Sequence, residues 1–218
     1  MLPLTWKSRA KQALLVSVLA VVTIGGTQAC SNSEVLQPPT LSKPASHSGM
    51  GPQVRQTDAA GQTLPFKTRF PKRWNSGNDG TSYEPCTAVT AEILNQFSLD
   101  ASSVADAAIA DGQTVRGCEW ATMGSRLSYI SQALGNTRTL DYYKDIQAVS
   151  IEWFPDIQIA GRRVALGTLG KEECSTYVMS GSAAVSSTAT AYIDPPPLDE
   201  VCAKAIAFTK ATIDKIPL

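Results

Sequence analysis

Four cysteines in the last two-thirds of the chain constrain its fold more than any other feature of the sequence. The chain has five cysteines in all, at Cys30, Cys86, Cys118, Cys174 and Cys202. An exported protein tends to pair its cysteines. When Cys30 is set aside as a lipid site, for reasons given below, an even number remains. We therefore expect a domain held together by two disulfides.

The positions of the four cysteines favour one pairing. Cys86 precedes a predicted helix and Cys118 lies in a predicted strand, whereas Cys174 lies in a predicted strand and Cys202 in a predicted helix. This near-symmetry favours the helix-to-strand pairs Cys86–Cys118 and Cys174–Cys202. Four cysteines permit three pairings, and the sequence leaves the other two open. A metal site or a catalytic thiol is a weaker alternative, because no C-x-x-C motif or nearby histidine is present and an exported free cysteine would oxidise.

The first thirty residues have the pattern of an export signal. Lys7, Arg9 and Lys11 form a basic segment, residues 13–24 form an uncharged apolar core, and small residues follow in 25–30. The apolar core is about a dozen residues long, whereas a membrane-spanning helix needs about 20. We therefore predict that residues 1–29 are a signal peptide and not a permanent membrane anchor.

Cys30 is the predicted lipidation site. The stretch "TQAC" places the small Ala29 directly before Cys30, as in a bacterial lipobox, although Thr27 stands where an aliphatic residue is usual and Gln28 is bulky for its place. A diacylglycerol with its fatty acids, such as palmitate, would hold the chain on the extracytoplasmic face of the cell membrane, because two acyl chains bind firmly. The alternative is cleavage after Ala29 by the ordinary signal peptidase, without a lipid.

Composition divides the mature chain into a tether and a domain. Residues 30–64 are rich in Pro, Ser, Gln, Thr and Gly and poor in large apolar residues, which predicts a lipid-anchored flexible tether. Residues 65–218 form the predicted domain. At its start, "FKTRFPKRW" (residues 66–74) alternates cations with aromatics. This segment either touches anionic lipid headgroups or packs its aromatics on the domain with its cations in water. The second is favoured, because the cluster is short and Pro71 prevents a regular helix.

Hydrophobic periodicity predicts an α+β domain, in which an antiparallel sheet of about five to six strands carries an N-terminal and a C-terminal helix on one side. The predicted helices are 87–97, a short one at 139–146, and a last one after Pro195–Pro197. The predicted strands are 115–121, 126–134, 148–154, 157–166, 173–180 and 184–193. The last helix has one apolar face, formed by Val201, Cys202, Ala205, Phe208, Thr209, Thr212, Ile213 and Ile216.

Charge and missing motifs exclude several functions. Three of the 19 basic residues lie in the predicted signal, which leaves 16 against 19 acidic residues and a net charge of −3. This balance argues against a nucleic-acid partner. The only histidine, His47, lies in the predicted tether, so a histidine-based triad has no base in the domain. No G-x-S-x-G, Walker or dinucleotide motif occurs, and we predict no catalytic residue and no cofactor.

Two further groups of residues are candidate sites. Acidic residues in or beside predicted strands, some next to Trp120 or Trp153, would suit a glycan hydrolase; they are Glu119, Glu152, Asp156, Glu172 and Glu173. Alternation instead turns Glu119 away from Cys118 and Trp120, towards solvent, and Glu152 behaves likewise. In "RWNSGNDGTSYEPC" (residues 73–86), only Asp79 and Gly80 fit a calcium loop, so this segment is predicted to be a turn.

Five short motifs occur in a fixed order behind the lipobox-like signal. They are "YEPC", "RGCEW" (116–120), "IAGRRVA" (159–165), "ECSTYV" (173–178) and "DEVCAKAIAFTKATIDKIP" (199–217). In this order, over about residues 73–218, the chain resembles the actinobacterial lipoproteins grouped as domain of unknown function 3558. The resemblance implies an envelope lipoprotein with paired cysteines, and it brings no catalytic residues.

We therefore expect a non-catalytic binding or interaction module on the outer face of the cytoplasmic membrane. Its partner would be an envelope protein or a small ligand. Two alternatives stay open: a cell-wall glycan hydrolase that uses strand carboxylates, and a sensor or accessory subunit of a membrane complex.

Overall fold

The computed structural model describes residues 54–218. The predicted signal peptide, Cys30 and the first part of the predicted tether lie outside these residues. Within the described range, no helix is both long enough and apolar enough to cross a membrane.

Eight strands form an antiparallel sheet, more than the five or six predicted. Their order is β1-β2-β3-β8-β7-β6-β4, and β5 pairs with β6 at the side. The strands are β1 (Ala105–Asp106), β2 (Val115–Thr122), β3 (Ser125–Asn136), β4 (Glu152–Trp153), β5 (Ile157–Ile159), β6 (Arg162–Gly170), β7 (Glu173–Ser180) and β8 (Ala183–Ala191). β2, β3, β7 and β8 lie where the alternation predicts them.

Two local features explain the larger number of strands. The predicted strand 157–166 is a hairpin, because Ala160 and Gly161 both have positive φ, 48° and 75°, as a tight two-residue hairpin turn requires. β1 is a two-residue strand that hydrophobic periodicity does not detect. The predicted strand 148–154 is also shortened to β4, and Val149, placed on its apolar face, is 94% exposed in a turn.

Four helices accompany the sheet: α1 (Pro85–Ala88), α2 (Ala91–Gln96), α3 (Leu140–Gln147) and α4 (Leu198–Thr212). The single N-terminal helix predicted at 87–97 is thus two short ones. Val89 and Thr90 between them have extended backbone, and both are β-branched, which disfavours helix. α3 begins where predicted, because the Thr139 side chain caps it by accepting a hydrogen bond from the Tyr142 amide.

The N-terminal and C-terminal helices lie on one face of the sheet, as predicted, and the short helix α3 lies on the other. α1, α2 and α4 cover one face, which we call the helical face. All eight residues of the predicted apolar face of α4 are buried there. α3 covers part of the other face, where Tyr143 packs on Tyr177 of β7 and on Trp153 of β4.

Polar side chains are also buried between α4 and the sheet, and they are paired. Gln132 of β3 donates hydrogen bonds to the hydroxyls of Ser187 (2.9 Å) and Thr212 (3.0 Å) and accepts one from Tyr83 (2.7 Å). The hydroxyls of Thr176 and Thr209 bond to each other. These bonds fix the position of α4 on the strands, because a buried polar group left unpaired is costly.

The two disulfides are Cys86–Cys118 and Cys174–Cys202, the pairs that the symmetrical arrangement favours. The first joins α1 to β2 and the second joins β7 to α4. All four cysteines belong to the core of the helical face.

The folded unit begins before residue 65. Thr57 and Thr63 form a bridge, and the Asp58 carboxylate between them accepts hydrogen bonds from the amides of Ala60 (2.9 Å) and Gln62 (2.8 Å) and from the Thr87 hydroxyl (2.7 Å). Leu64 is buried in the core. The last part of the predicted tether therefore belongs to the domain. Composition did not reveal this, because a turn held by its own hydrogen bonds is as polar as a flexible linker.

A buried cluster of four charges joins the opening loop to the sheet. Glu84 accepts two hydrogen bonds from Arg73 (2.9 and 3.0 Å) and one from Arg116 of β2 (2.9 Å), and Arg73 also pairs with Asp106 (3.0 Å). Arg73 and Arg116 are 1% and 0% exposed. Burial lowers the pKa of Arg116 to about 10 against the opposing effect of Glu84. For Arg73, Glu84 and Asp106 outweigh burial, and its pKa is raised.

The opening loop is wrapped around the Arg116 guanidinium. Arg116 donates to the carbonyls of Asn78 (3.1 Å), Thr81 (2.9 Å) and Tyr83 (2.7 Å). The Trp74 ring lies 3.6 Å from the same guanidinium. The segment that looked like a candidate calcium loop is thus folded around a cation of the protein itself.

Glu84→Gln should strongly destabilise the domain, by about 3–5 kcal/mol, because it leaves two buried guanidinium groups short of one negative charge. Urea unfolding of the two proteins measures the change. Glu152→Gln, the same substitution at an exposed strand position, is the control and should change the free energy of unfolding by less than about 0.5 kcal/mol. A loss at Glu84 as small as that of the control would contradict the role given to the cluster.

Proteolysis of the non-reduced protein followed by mass spectrometry should release two linked peptide pairs, Cys86 with Cys118 and Cys174 with Cys202. Loops of 32 and 28 residues correspond to about 3–4 kcal/mol of stabilisation for each disulfide. The double substitution Cys174→Ala and Cys202→Ala should therefore lower the free energy of unfolding by about that amount. A peptide that links Cys86 to Cys174 or to Cys202 would show that the pairing is wrong.

Candidate functional site

The sheet face opposite α4 has a polar region that α3 does not cover. Strand register aligns its side chains in two rows, because directly paired residues point to the same side. One row is Glu119–Ser131–Thr188–Ser175 and the other is Ala121–Tyr129–Thr190–Glu173, each running across β2, β3, β8 and β7. We call these two rows the polar face. A glutamate stands at one end of each row, and hydroxyl groups lie between.

Each glutamate is the sequence neighbour of a disulfide cysteine. Cys118 and Glu119 are adjacent in β2, and Glu173 and Cys174 are adjacent in β7. Successive side chains of a strand point to opposite faces of the sheet. Each of these two cysteines therefore forms its disulfide on the helical face, and the glutamate next to it lies on the polar face. The two strands that carry the carboxylates are therefore the two that disulfides fix to helices.

A cleft of about 650 Å³ opens at the Glu119 end of the polar face. Asp100 and Ser103 form one wall, Glu119 and Tyr129 lie on the sheet, and Arg126 stands at the end of the β2–β3 hairpin. The wall is held in place by the Ser103 hydroxyl, which accepts a hydrogen bond from the Ala121 amide (2.8 Å) and donates one to the Asp100 carbonyl (2.6 Å).

The pKa values of the acidic residues in the cleft and on the polar face are shifted in different directions. Burial raises the pKa of Glu119 and that of Glu173 at the far end of the polar face, where a hydrogen bond from Ser175 acts against the rise. Hydrogen bonds from the hydroxyl and amide of Ser102 lower the pKa of Asp100. Within the described residues, neither Glu119 nor Glu173 has a cation within salt-bridge distance.

Two tyrosines lie between the cleft and Glu173. The rings of Tyr129 and Tyr192 are 6.1 Å apart, and Tyr192 is mostly exposed. Burial and a hydrogen bond between the Tyr129 and Tyr192 hydroxyls (3.4 Å) raise the pKa of Tyr129 to about 12. Thr190 is only 3% exposed, and its hydroxyl makes no well-formed hydrogen bond within residues 54–218. An unpaired buried hydroxyl is costly and is satisfied when a bound molecule or water supplies a partner.

The structure separates the acidic residues that the sequence suggested as a group. Glu119 faces away from Cys118 and Trp120, as the alternation predicts, whereas Glu152 lies in β4, five strand positions away. At about 4.8 Å per strand, roughly 24 Å separates them. Asp156 is engaged by Lys144 (2.6 Å) and Arg163 (2.5 Å). Glu172 lies at the β6–β7 turn.

The tryptophans suggested as sugar-stacking residues are not on the polar face. Trp120 is buried on the helical face, beside Phe208, and Trp153 packs with Tyr143 and Tyr177 under α3. The aromatic residues that do lie at the polar face, Tyr129 and Tyr192, were not singled out from the sequence. Strand alternation puts Tyr129 on the same side as Ser131, but only the strand register brings it to Thr190.

The loop at 73–86 has the turn structure predicted for it. Gly80 and Asp79 are held by the Asn136 side chain, which accepts from the Gly80 amide (2.7 Å) and donates to the Asp79 carboxylate (2.8 Å). In the described part of the chain, no three His, Cys, Asp or Glu side chains are grouped as metal ligands.

The structure agrees only in part with the favoured interpretation of segment 66–74, in which the aromatics pack on the domain and the cations point to water. Phe66 packs against the core, but Arg73 is buried in the charge cluster and does not point to water. Lys67, Arg69 and Lys72 are exposed.

Comparison with known families gives one match. A family model described as "Protein of unknown function (DUF3558)" matches residues 25–215. The chain belongs to this family. No curated protein and no solved structure matches the chain significantly.

The DUF3558 match covers Cys30 and all four disulfide cysteines. The description gives the family no activity and no ligand. For this DUF3558 member, function must therefore be inferred from the chemistry of its own surface.

Proposed function

We propose that this protein is an exported envelope lipoprotein whose disulfide-linked domain is a non-catalytic binding module. A lipid on Cys30 would hold it on the outer face of the cytoplasmic membrane, and the polar face would bind its ligand. The observation that carries the proposal is the polar face itself. Two half-buried carboxylates, with no cation within salt-bridge distance among the described residues, lie at opposite ends of two rows of hydroxyls on the part of the sheet that α3 leaves uncovered.

The disulfides support export. Such bonds form and persist in oxidising compartments and are rare in the cytosol. The basic segment, apolar core and "TQAC" sequence before residue 31 supply the signal and the lipid site.

The chemistry of the polar face fits a polar ligand rich in hydrogen-bond donors. Ionised Glu119 and Glu173 accept hydrogen bonds only, and partial burial makes their desolvation costly until a donor or a cation meets them. The Tyr129 and Tyr192 rings give apolar contact beside them. The disulfides behind both carboxylates limit their movement, and such preorganisation lowers the entropic cost of binding.

A glycan hydrolase remains the second candidate because of Asp100 and Glu119. They line one cleft, and their environments shift their pKa values in opposite directions, a pattern typical of acid and base pairs. Binding is favoured over hydrolysis because Asp100 is already engaged as the cap of a short helical turn, accepting from the amide and hydroxyl of Ser102 (2.8 and 2.7 Å). Glu119 and Glu173 cannot form the pair instead. Their α-carbons are roughly 16 Å apart from strand spacing and register, against about 5–9.5 Å between the carboxyl groups of a glycosidase.

Metabolic labelling with an alkyne fatty acid should label the wild-type chain, and Cys30→Ala should abolish the label because the acyl acceptor is lost. At high salt, which screens electrostatic attachment, Cys30→Ala should also move the protein from the membrane fraction to the soluble extracytoplasmic fraction. Cys86→Ala is the control, since it removes a cysteine of the domain and should retain the label. Persistence of the label in Cys30→Ala would contradict lipidation at this residue.

A photoreactive benzoylphenylalanine in place of Tyr192 should cross-link a ligand in living cells, because Tyr192 is exposed at the polar face. The same residue in place of Ala203, exposed on α4, is the control and should give no matching adduct. Glu119→Gln should remove the Tyr192 adduct if the carboxylate binds the same molecule. Equal adducts at both positions, unaffected by Glu119→Gln, would contradict the site.

An activity assay on the purified wild-type, Glu119→Gln and Asp100→Asn proteins distinguishes binding from hydrolysis. Wild-type protein incubated with envelope glycans should release no reducing ends. Release that is lost in both Glu119→Gln and Asp100→Asn, while the fold is retained, would replace the binding module by the hydrolase.

A further inference from the structure

A second surface, which differs in chemistry from the polar face, lies near the start of the folded domain. It is formed by Lys67, Arg69, Phe70, Lys72 and Ile109, and we call it the basic surface. The three cations are exposed, and Ile109 is 83% exposed. A groove of about 440 Å³ runs between residues 66–70 and residues 106–109.

The three cations of the basic surface have no acidic partner. No salt bridge within the described residues involves Lys67, Arg69 or Lys72. The two carboxylates near them are engaged otherwise. Asp106 is paired with the buried Arg73 (3.0 Å), and Asp111 accepts a hydrogen bond from the Lys72 main-chain amide (2.7 Å). Asp111 keeps its negative charge, because a main-chain amide is neutral, but the three cations outnumber it and leave the surface positive.

Apolar side chains accompany the charges. The Arg69 guanidinium lies 5.2 Å from the Phe70 ring, and Ile109 projects on the other side of the groove. Cations mixed with aromatic and aliphatic side chains are the composition of surfaces that rest on the headgroup region of a bilayer. A protein partner of acidic composition would use the cations but gives no reason for an isoleucine in water.

The chain reaches the domain along this same surface. The Gln56 side chain donates to the Thr68 carbonyl (2.9 Å) and accepts from the Thr68 amide (3.1 Å), and Thr68 lies between Lys67 and Arg69. Cys30 and Val54 are 24 residues apart, so fully extended backbone sets their separation at no more than about 85 Å. The described chain thus begins beside the basic surface, and a lipid on Cys30 would keep the domain within about 85 Å of the bilayer.

We propose that the basic surface docks on the anionic headgroups of the membrane that holds the lipid. Lys67, Arg69 and Lys72 would meet the headgroups, and Phe70 and Ile109 would enter the interface. The inference rests on the proposed lipid anchor for its biological setting, but the surface chemistry can be measured without a lipid on the protein.

The test uses the mature chain with Cys30→Ala, so that no acyl chain contributes, and sedimentation with vesicles. Vesicles of phosphatidylcholine with phosphatidylglycerol should bind the protein, and vesicles of phosphatidylcholine alone should not. Binding should weaken as salt is added, because screening shortens the range of the attraction. The triple variant Lys67→Gln, Arg69→Gln, Lys72→Gln should lose about a hundred-fold in affinity, since each cation contributes about five-fold.

A matched triple variant is the control. Lys171→Gln, Lys210→Gln and Lys215→Gln remove the same net charge from exposed positions elsewhere and should bind nearly as the parent does. Ile109→Ser should weaken binding without changing its salt dependence. Thermal unfolding checks that every variant is folded.

No binding to the anionic vesicles, or equal losses in the two triple variants, would overturn the proposal. The fatty-acid labelling of Cys30 is independent of these outcomes. Labelling without vesicle binding would leave the anchor and remove the docking surface, and vesicle binding without labelling would do the reverse.

Discussion

The Glu84 carboxylate is the contact on which the rest of this structure depends. It is buried between Arg73 and Arg116, and it also accepts a hydrogen bond from the Cys86 amide at the start of α1. Desolvating a carboxylate costs several kcal/mol unless cations and donors replace the water. Its two arginines come from the opening loop and from β2, so the charge is satisfied only when loop, helix and sheet are assembled. The Cys86–Cys118 disulfide joins the same helix to the same strand. The disulfide and the ion pairs therefore stabilise the same packing of α1 on β2.

Much of this fold was predictable because its signals are periodic or symmetrical. α4 has an uninterrupted apolar stripe, and each of its stripe residues is buried. The disulfide pairs are the ones favoured when each cysteine is placed on its predicted element, although the sequence leaves the two other pairings open. The errors occurred where short segments depart from a period: Val149 has strand-like neighbours but lies in a turn after α3, and Val89 and Thr90 interrupt a helix whose apolar spacing continues through them. In those segments the backbone follows its tertiary contacts and not its local pattern.

The buried charges and the polar face were not predictable for a different reason. Arg73 lies among cations and aromatics, which indicates an exposed segment, and its partners Glu84 and Asp106 are 11 and 33 residues away. A local sequence pattern does not predict such ion pairs. Alternation correctly turned Glu119 from the core, but its neighbours Ser131 and Thr188 come from other strands. Their row exists only through the register of β2, β3 and β8, which the sequence does not specify without the hairpin turns that set it.

The two faces of the sheet differ in composition, and two of the disulfide cysteines are next to residues of the polar face. The helical face carries the disulfides, the Gln132 hydrogen bonds and the buried stripe of α4, and most of the buried apolar core lies there. On the other face, a smaller apolar cluster lies under α3 and includes Leu140, Ile151 and Tyr177. It does not extend to the two rows of the polar face, so side chains there are available for binding. Since Cys118 and Cys174 each neighbour a glutamate of the polar face, the bonds that stabilise one face also hold the carboxylates of the other at a fixed separation. A rigid pair of carboxylates too far apart for joint proton transfer, with hydroxyls between them, is suited to recognising an extended polar molecule.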